Sequence, residues 1–543
     1  MRNLFTWNRS LVVLMPVVAA ACGGGGSGLA PAQPLPQTPT VLSADTPIAV
    51  TGGLIQGGLS ETNPNIITFK GVPYAAPPVG DLRWKPPLAV DPWDGVRDAT
   101  AFGNRCVQGG RNEDDQSEDC LVLNVYAPRE TTAPLPVMVW IHGGGYTGGA
   151  GSNSIYEGTQ LAARGVVLVS INYRLNVFGF YAHPALSAES PYDASGNQGM
   201  QDMVASLVWV QDNIASFGGD PRRVTIFGES AGAGAVMSLM VVPQAEGLYH
   251  GAIAESNWVY GWDRPLSGPD SAEADGVRVA EALGVTDPDA SLDELRGASA
   301  KDVFAAYQAA GNSPFTREDN AWAPNVDGRV IPDDPVKMYE SGRQHDVPLI
   351  VGMNGNEGSM FARGLPLSDV ADFQAHIRRI YPAQADAALA HYAVGEAVAV
   401  PDAVDHLIHD MYFAGPVRLH ARTHALKDAP AWLYHFTHVP PTAGGERMGS
   451  HHAAELGYVF GNLNNGDYTD VDQRISDTIM GYWVRFAATG DPNSPDRPAW
   501  PAYDAVSDEY LEIGETVATH RGLHVGASEL FDGFQNSRRL NDD

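Results

Sequence analysis

The stretch Val224-Thr225-Ile226-Phe227-Gly228-Glu229-Ser230-Ala231-Gly232-Ala233 decides the fold. It opens as an apolar, β-branched run, which predicts a buried strand. The run passes straight into G-x-S-x-G, and small residues then open a helix. A serine hydroxyl is a weak nucleophile and must be presented sharply to a base. A strand–turn–helix elbow does this, and flanking glycines leave room for the strained turn. The pentapeptide alone is common; the strand before it and the helix after it make it specific. Ser230 is therefore a candidate nucleophile at the end of a central strand.

The neighbouring sequence repeats the pattern. Residues 137–141, 166–171, 349–351 and 431–436 are short apolar runs and read as strands. Residues 200–217 read as a helix, with Val204, Leu207, Val208 and Ile214 at helical spacing, stopped by Gly218-Gly219-Asp220-Pro221. Strands alternating with helices predict an α/β class with a central, mostly parallel, twisted sheet flanked by helices. The more acidic region 265–346 is expected as a helical insertion over the sheet. No internal repeat or second linker follows residue 46, so 46–543 is expected to be a single domain.

Composition narrows the function. The chain has 543 residues and a formal net charge of −30. With no basic surplus to neutralise phosphates, nucleic acid is not an expected partner. At the N-terminus, Arg2 and Arg9 precede an apolar run over 11–21 that ends in Ala19-Ala20-Ala21. That run is too short to span a bilayer. Cys22 follows, then a glycine-rich and a proline-rich tether over 22–45. Residues 1–21 resemble a bacterial lipoprotein signal, although Ala19 stands where a larger aliphatic residue is usual. The expectation is export, lipidation of Cys22 and anchoring at the cell envelope; the alternative is secretion after cleavage near Ala21. Setting Cys22 aside leaves Cys106 and Cys120, an even pair expected to form a disulfide in an oxidising compartment. Two cysteines without a neighbouring histidine do not make a zinc site, and no metal or cofactor is expected.

An elbow serine also needs donors for a developing oxyanion, a base, and an acid to orient that base. The run Val139-Trp140-Ile141-His142-Gly143-Gly144-Gly145-Tyr146 is a strand ending in three glycines, upstream of the elbow. Consecutive glycines let backbone N–H groups face a cavity without Cβ interference.

With these residues in place, the chain resembles the type-B carboxylesterases of the α/β-hydrolase superfamily, the group that includes carboxylesterases, bile-salt lipases and cholinesterases. Further matching blocks are Phe69-Lys70-Gly71-Val72-Pro73-Tyr74-Ala75, Leu82-Arg83-Trp84, Ser117-Glu118-Asp119-Cys120-Leu121, Asn172-Tyr173-Arg174, Gly196-Asn197-Gln198-Gly199 and Thr489-Gly490-Asp491-Pro492-Asn493. The resemblance implies an α/β-hydrolase fold and serine ester hydrolysis of a small-molecule substrate. It implies Glu357, in Gly355-Asn356-Glu357-Gly358, as the triad acid. It also implies His452, three residues before Glu455, as the base, with His451 a flanking residue. Gly144, Gly145 and Ala231 are the implied oxyanion donors. Glu229 is placed beside the base and Ser256 beside the acid. Amide or carbamate hydrolysis would use the same machinery, whereas adhesion relatives lack the serine that is present here. The loop 107–119 carries no aromatic residue to receive a quaternary ammonium group, so neutral esters with short to medium acyl chains are expected.

Overall fold

The computed structural model describes residues 39–542 except 111–113, 259–263, 286–291, 312–321, 396–397 and 465. The signal segment, Cys22 and most of the tether lie outside the described residues. All described residues belong to one compact unit.

An 11-stranded sheet runs through that unit. Its strands in chain order are β1 (Gly58–Leu59), β2 (Ile66–Pro73), β3 (Val122–Pro128), β4 (Leu135–Ile141), β5 (Val167–Ile171), β6 (Gly219–Glu229), β7 (Gly251–Glu255), β8 (Leu349–Asn354), β9 (Ala431–Phe436), β10 (Glu509–Ile513) and β11 (Val517–Arg521). Across the sheet the order is β11-β10-β9-β8-β7-β6-β4-β5-β3-β2-β1. From β5 through β4 to β10 every pairing is parallel; the outer pairings are antiparallel. Parallel strands are covered on both faces, which is why β4, β5 and β8 read as near-continuous apolar runs.

Both faces are visible in β4. Val137, Val139 and Ile141 enter one core with Met203, Leu207 and Val236. Met138 and Trp140 enter the other with Ile479, Trp483 and Phe486. The main helices are α1 (Gln198–Asn213), α2 (Ala231–Leu239), α3 (Ala385–Tyr392), α4 (Val400–His409), α5 (Gly415–His424), α6 (Asp470–Thr489) and α7 (Val525–Asp542). Helix α1 ends through a short 3-10 turn, Ile214–Phe217, capped by Gly218 at φ 80°. Its buried stripe is Met200, Met203, Leu207, Val210 and Ile214. Val208, expected on that stripe, is instead exposed. Met200, Met203 and Leu207 fill the inner face at the i, i+3, i+7 positions, and Val208 lies one step around the helix.

Between β7 and β8 the insertion is helical, with segments Ala272–Ala282, Leu292–Gly297, Ala300–Ala309 and Pro335–Glu340. Val279, Leu295, Val303 and Tyr307 form a small core of their own with Trp84, Val177, Phe178 and Tyr181.

Charge pairs join the sequence blocks. Arg174 grips Asp202 of α1 through two hydrogen bonds of 2.7 and 2.8 Å, with both side chains buried. Arg83 grips Glu118 at 2.6 and 2.7 Å, linking the L-R-W block to the S-E-D-C block. Such planar, two-point pairs fix orientation as well as distance. Beside Glu118, Cys106 and Cys120 are disulfide-bonded, with Cα atoms 5.0 Å apart. A closed loop of that size stabilises by about 3 kcal/mol in the chain-entropy account.

Candidate active site

The parallel register brings the carboxyl ends of the central strands level. Ile141 pairs with Gly228, Glu229 with Glu255, and Glu255 with Gly352. Ligands of open α/β sheets bind outside such strand ends.

Ser230 sits between β6 and α2 with φ 59° and ψ −126°. A non-glycine residue there is strained, and the surroundings must hold it. Its N–H donates to the Glu255 carbonyl at 2.9 Å, and its own carbonyl accepts from Gly234 N–H at 2.9 Å. A Cβ on Gly228 would stand 2.6 Å from the Gly232 backbone and 2.7 Å from the Ile141 carbonyl oxygen. One on Gly232 would collide with that same oxygen. The elbow therefore presses against the end of β4, and both glycines are required by close approach.

The glycine loop after β4 turns back on itself at Gly144 (φ 112°) and Gly145 (φ 63°). Among the described residues, no acceptor meets the N–H groups of Gly144, Gly145 or Ala231. All three residues line one cavity with Ser230 and His452. His142 is buried, stacks on Tyr173 at 4.5 Å and faces the Gly143 carbonyl; it supports the loop from below.

The acid loop after β8 and the histidine loop after β9 are stitched together. Asn356 N–H donates to the Ser450 carbonyl at 2.8 Å, and Asn354 Nδ2 donates to the His451 carbonyl at 2.9 Å. The result is a 2.6 Å hydrogen bond from His452 Nδ1 to Glu357 Oε2. The other oxygen of fully buried Glu357 accepts from Ser256 Oγ at 2.5 Å and Asn354 N–H at 2.6 Å. Phe361 and Phe413 pack on the imidazole at 5.0 and 4.9 Å. His451 is only partly buried, and its Nδ1 faces the His452 carbonyl, not the cavity.

Ser230 and His452 make no hydrogen bond to each other in this structure. His452 Nε2 lies 3.0 Å from Glu229 Oε1, off the line of an aligned hydrogen bond. Both ring nitrogens thus face carboxylates, an arrangement that suits the imidazolium, in which both are donors. Burial alone would lower the His452 pKa; the Glu229 and Glu357 charges outweigh it and hold it well above the ordinary value. Two more carboxyls lie beneath. Glu255 receives Trp483 Nε1 at 2.7 Å, and Glu455 receives Asn354 Nδ2. Burial, with carboxylate neighbours adding to it, raises the pKa of both.

The cavity above has a volume of about 380 Å³. Its remaining walls include Tyr146, Trp258, Met360, Phe361 and Ala453. The aromatic walls carry no motif and were not read from the sequence. Trp258 stood two residues from Ser256, already placed beside the acid, and that was the available signal. A second cavity of about 330 Å³, bordered by Trp84, Tyr192, Gln198 and Arg329, shares no lining residue with the first. A separate group with metal-ligand spacing, His409, Asp410 and His524, adjoins the acid loop.

Residues 44–529 match the model of the carboxylesterase family. This chain belongs to that family. The carboxylesterase is 36% identical to a fumonisin B1 esterase of Sphingopyxis macrogoltabida, covering 87% of this chain and 88% of that one. It is also 36% identical to the para-nitrobenzyl esterase of Bacillus subtilis, covering 84% and 93%. A solved PNB esterase superposes with a TM-score of 0.78 at 33% identity, over 89% of this chain and 99% of that one. A Geobacillus stearothermophilus carboxylesterase does so with a TM-score of 0.79 at 30% identity, over 90% and 100%. The fold is the α/β-hydrolase fold, and the protein is a serine carboxylic ester hydrolase acting on small-molecule esters.

Glu229→Gln removes one of the two charges that hold the His452 proton. A raised imidazole pKa leaves less free base at a given pH. The acid limb of kcat/KM is therefore expected to move to lower pH in the variant, by roughly 1 unit or more. A limb that stays in place would contradict the electrostatic reading.

Proposed function

We propose that this carboxylesterase works through an acyl-enzyme on Ser230, with His452 as base, Glu357 as its orienting acid, and Gly144, Gly145 and Ala231 as oxyanion donors. The observation that carries this is the 2.6 Å His452–Glu357 hydrogen bond at the rim of the cavity that holds the elbow serine. His452 in its neutral form turns Nε2 from Glu229 to Ser230 Oγ and takes its proton as Oγ attacks the ester carbonyl. The carbonyl oxygen becomes an oxyanion, and the backbone donors receive it. Glu357 holds the tautomer and stabilises the imidazolium. His452 then protonates the leaving alcohol, and water repeats the sequence on the acyl-enzyme.

The preferred substrates are neutral esters with short to medium acyl chains. Glycine, alanine and aromatic groups make most of the described lining, and Glu229 places a carboxylate in it. A cavity of about 380 Å³ is in the usual range for small ligands.

The enzyme is exported from a bacterial cytoplasm and lipid-anchored through Cys22. This rests on the short apolar run over 11–21, the cysteine directly after it and the glycine-rich tether. Among the described residues, no helix is long and apolar enough to cross a membrane.

Ser230→Ala is expected to lower kcat on the order of 10⁶-fold, and a fluorophosphonate probe to label Ser230 alone. His452→Ala is expected to be nearly as severe and His451→Ala mild; the reverse order would overturn the assignment of the base. Hydrolysis of p-nitrophenyl butyrate is expected to exceed that of the anionic p-nitrophenyl hemisuccinate by roughly tenfold or more in kcat/KM, about 1.4 kcal/mol. Equal rates would contradict the charge argument. Expressed in full in a bacterial host, the protein is expected in the membrane fraction, and Cys22→Ser should release it. Unchanged partitioning would refute the anchor.

A further inference from the structure

Helices α4 and α5 are joined by a π-helical turn, Asp410–Ala414. Such turns are uncommon and recur at functional sites. This one begins at the boundary between His409 and Asp410. His524, at φ 45°, stands just before α7. One ligand atom from each of His409, Asp410 and His524 lies within 4.8 Å of the other two. The sequence spreads these residues over more than a hundred positions, and nothing in it pointed to a metal.

The donor chemistry is that of a transition-metal site. Imidazole nitrogen with carboxylate oxygen suits zinc and its neighbours better than calcium or magnesium. His391 Nε2 holds Asp410 Oδ2 at 2.7 Å, which steadies the carboxylate and leaves Oδ1 free of that bond. Arg418, a cation that acts on His524, is already matched by two 3.0 Å hydrogen bonds to Asp508. His409 is 5% exposed, and its Nε2 has no partner in the structure. Ligands around tetrahedral zinc stand roughly 3.3 Å apart, so the group must close by up to about 1.5 Å. His524, half-buried just before α7, is the least enclosed of the three.

His409 also touches the catalytic machinery. Its Nδ1 accepts the backbone N–H of Glu357 at 3.2 Å. A metal reaches His409 by one of two routes, and both remove that acceptor. Coordination through Nδ1 uses the lone pair itself. Coordination through Nε2 places the ring proton on Nδ1, where it opposes the Glu357 N–H.

We propose that His409, Asp410 and His524 form an inhibitory site for a divalent transition metal, which on binding withdraws the acceptor from the Glu357 N–H and displaces the triad acid. The binding half stands on the donor group alone; the inhibitory half rests on the reading of Glu357 as the triad acid.

The test uses the purified enzyme with zinc alone. Equilibrium dialysis is expected to find one Zn²⁺ per chain, bound in the micromolar range. Zinc should lower kcat for p-nitrophenyl butyrate at least fivefold with KM within twofold, and a chelator should restore the rate. Millimolar Mg²⁺ should do neither. His524→Gln should lose the bound equivalent and the inhibition, each measured against its own metal-free rate, while exposed His520→Gln should keep both. Should His524→Gln fail to fold, Co²⁺ substitution in the unaltered enzyme reads the site directly, through the visible absorption of a tetrahedral nitrogen–oxygen set. Absence of a bound equivalent, or of that absorption, overturns the site. Competitive inhibition, or inhibition that survives in His524→Gln, places the metal on His452 and overturns the proposal. Zinc bound with hydrolysis unchanged overturns the coupling, and a large loss of kcat in Glu357→Gln separates that outcome from failure of the reading of Glu357 as the triad acid.

Discussion

The contact on which the rest depends is the approach of the elbow to the end of β4. Neither Gly228 nor Gly232 has space for a Cβ, because the Ile141 carbonyl occupies it. That approach carries the chain through Ser230 at φ 59° and starts α2 directly beneath the glycine loop. Ala231, Gly144 and Gly145 then line one cavity with Ser230. The strain at Ser230 is held by hydrogen bonds on both sides of the residue, to Glu255 and from Gly234. The proposed nucleophile and the proposed oxyanion donors are thus consequences of one packing constraint.

A second constraint is electrostatic. Glu229, Glu255, Glu357 and Glu455 are all buried around a single imidazole. Buried charges persist only when paired or hydrogen-bonded. Glu357 is satisfied by Ser256, Asn354 and His452, and Glu229 faces His452 across the cavity. Glu255 and Glu455 each have one oxygen without a donor and raised pKa values, so the protonated form is favoured there. The two carboxylates that face His452 favour its charged form, and the proposed base must lose that proton before a cycle begins.

Much of this was legible because local chemistry demands particular residues. Tight turns require glycine, and buried parallel strands require apolar runs, so the elbow, the β4 loop and the strand pattern could be read directly. The pairing of Glu357 with His452 came from resemblance, since no local rule selects one glutamate among many. What was not legible depends on tertiary contact. Val208 fits a helical stripe by spacing, yet the methionines of α1 take the inner face. Trp258, Phe361 and Phe413 reach the imidazole region from separate segments. The link from His409 to Glu357 N–H joins residues from two elements with no shared motif.

The central claim is that one packing arrangement sets nucleophile, donors and base together. A crystal structure of the enzyme phosphonylated at the active serine tests it most directly. The account predicts phosphorus on Ser230 Oγ. The phosphoryl oxygen should lie about 2.7–3.1 Å from the nitrogens of Gly144, Gly145 and Ala231. His452 Nε2 should have left Glu229 for the Ser230 oxygen or the leaving-group side. A phosphoryl oxygen that points away from those three nitrogens, or a His452 that stays on Glu229 in the adduct, would contradict it.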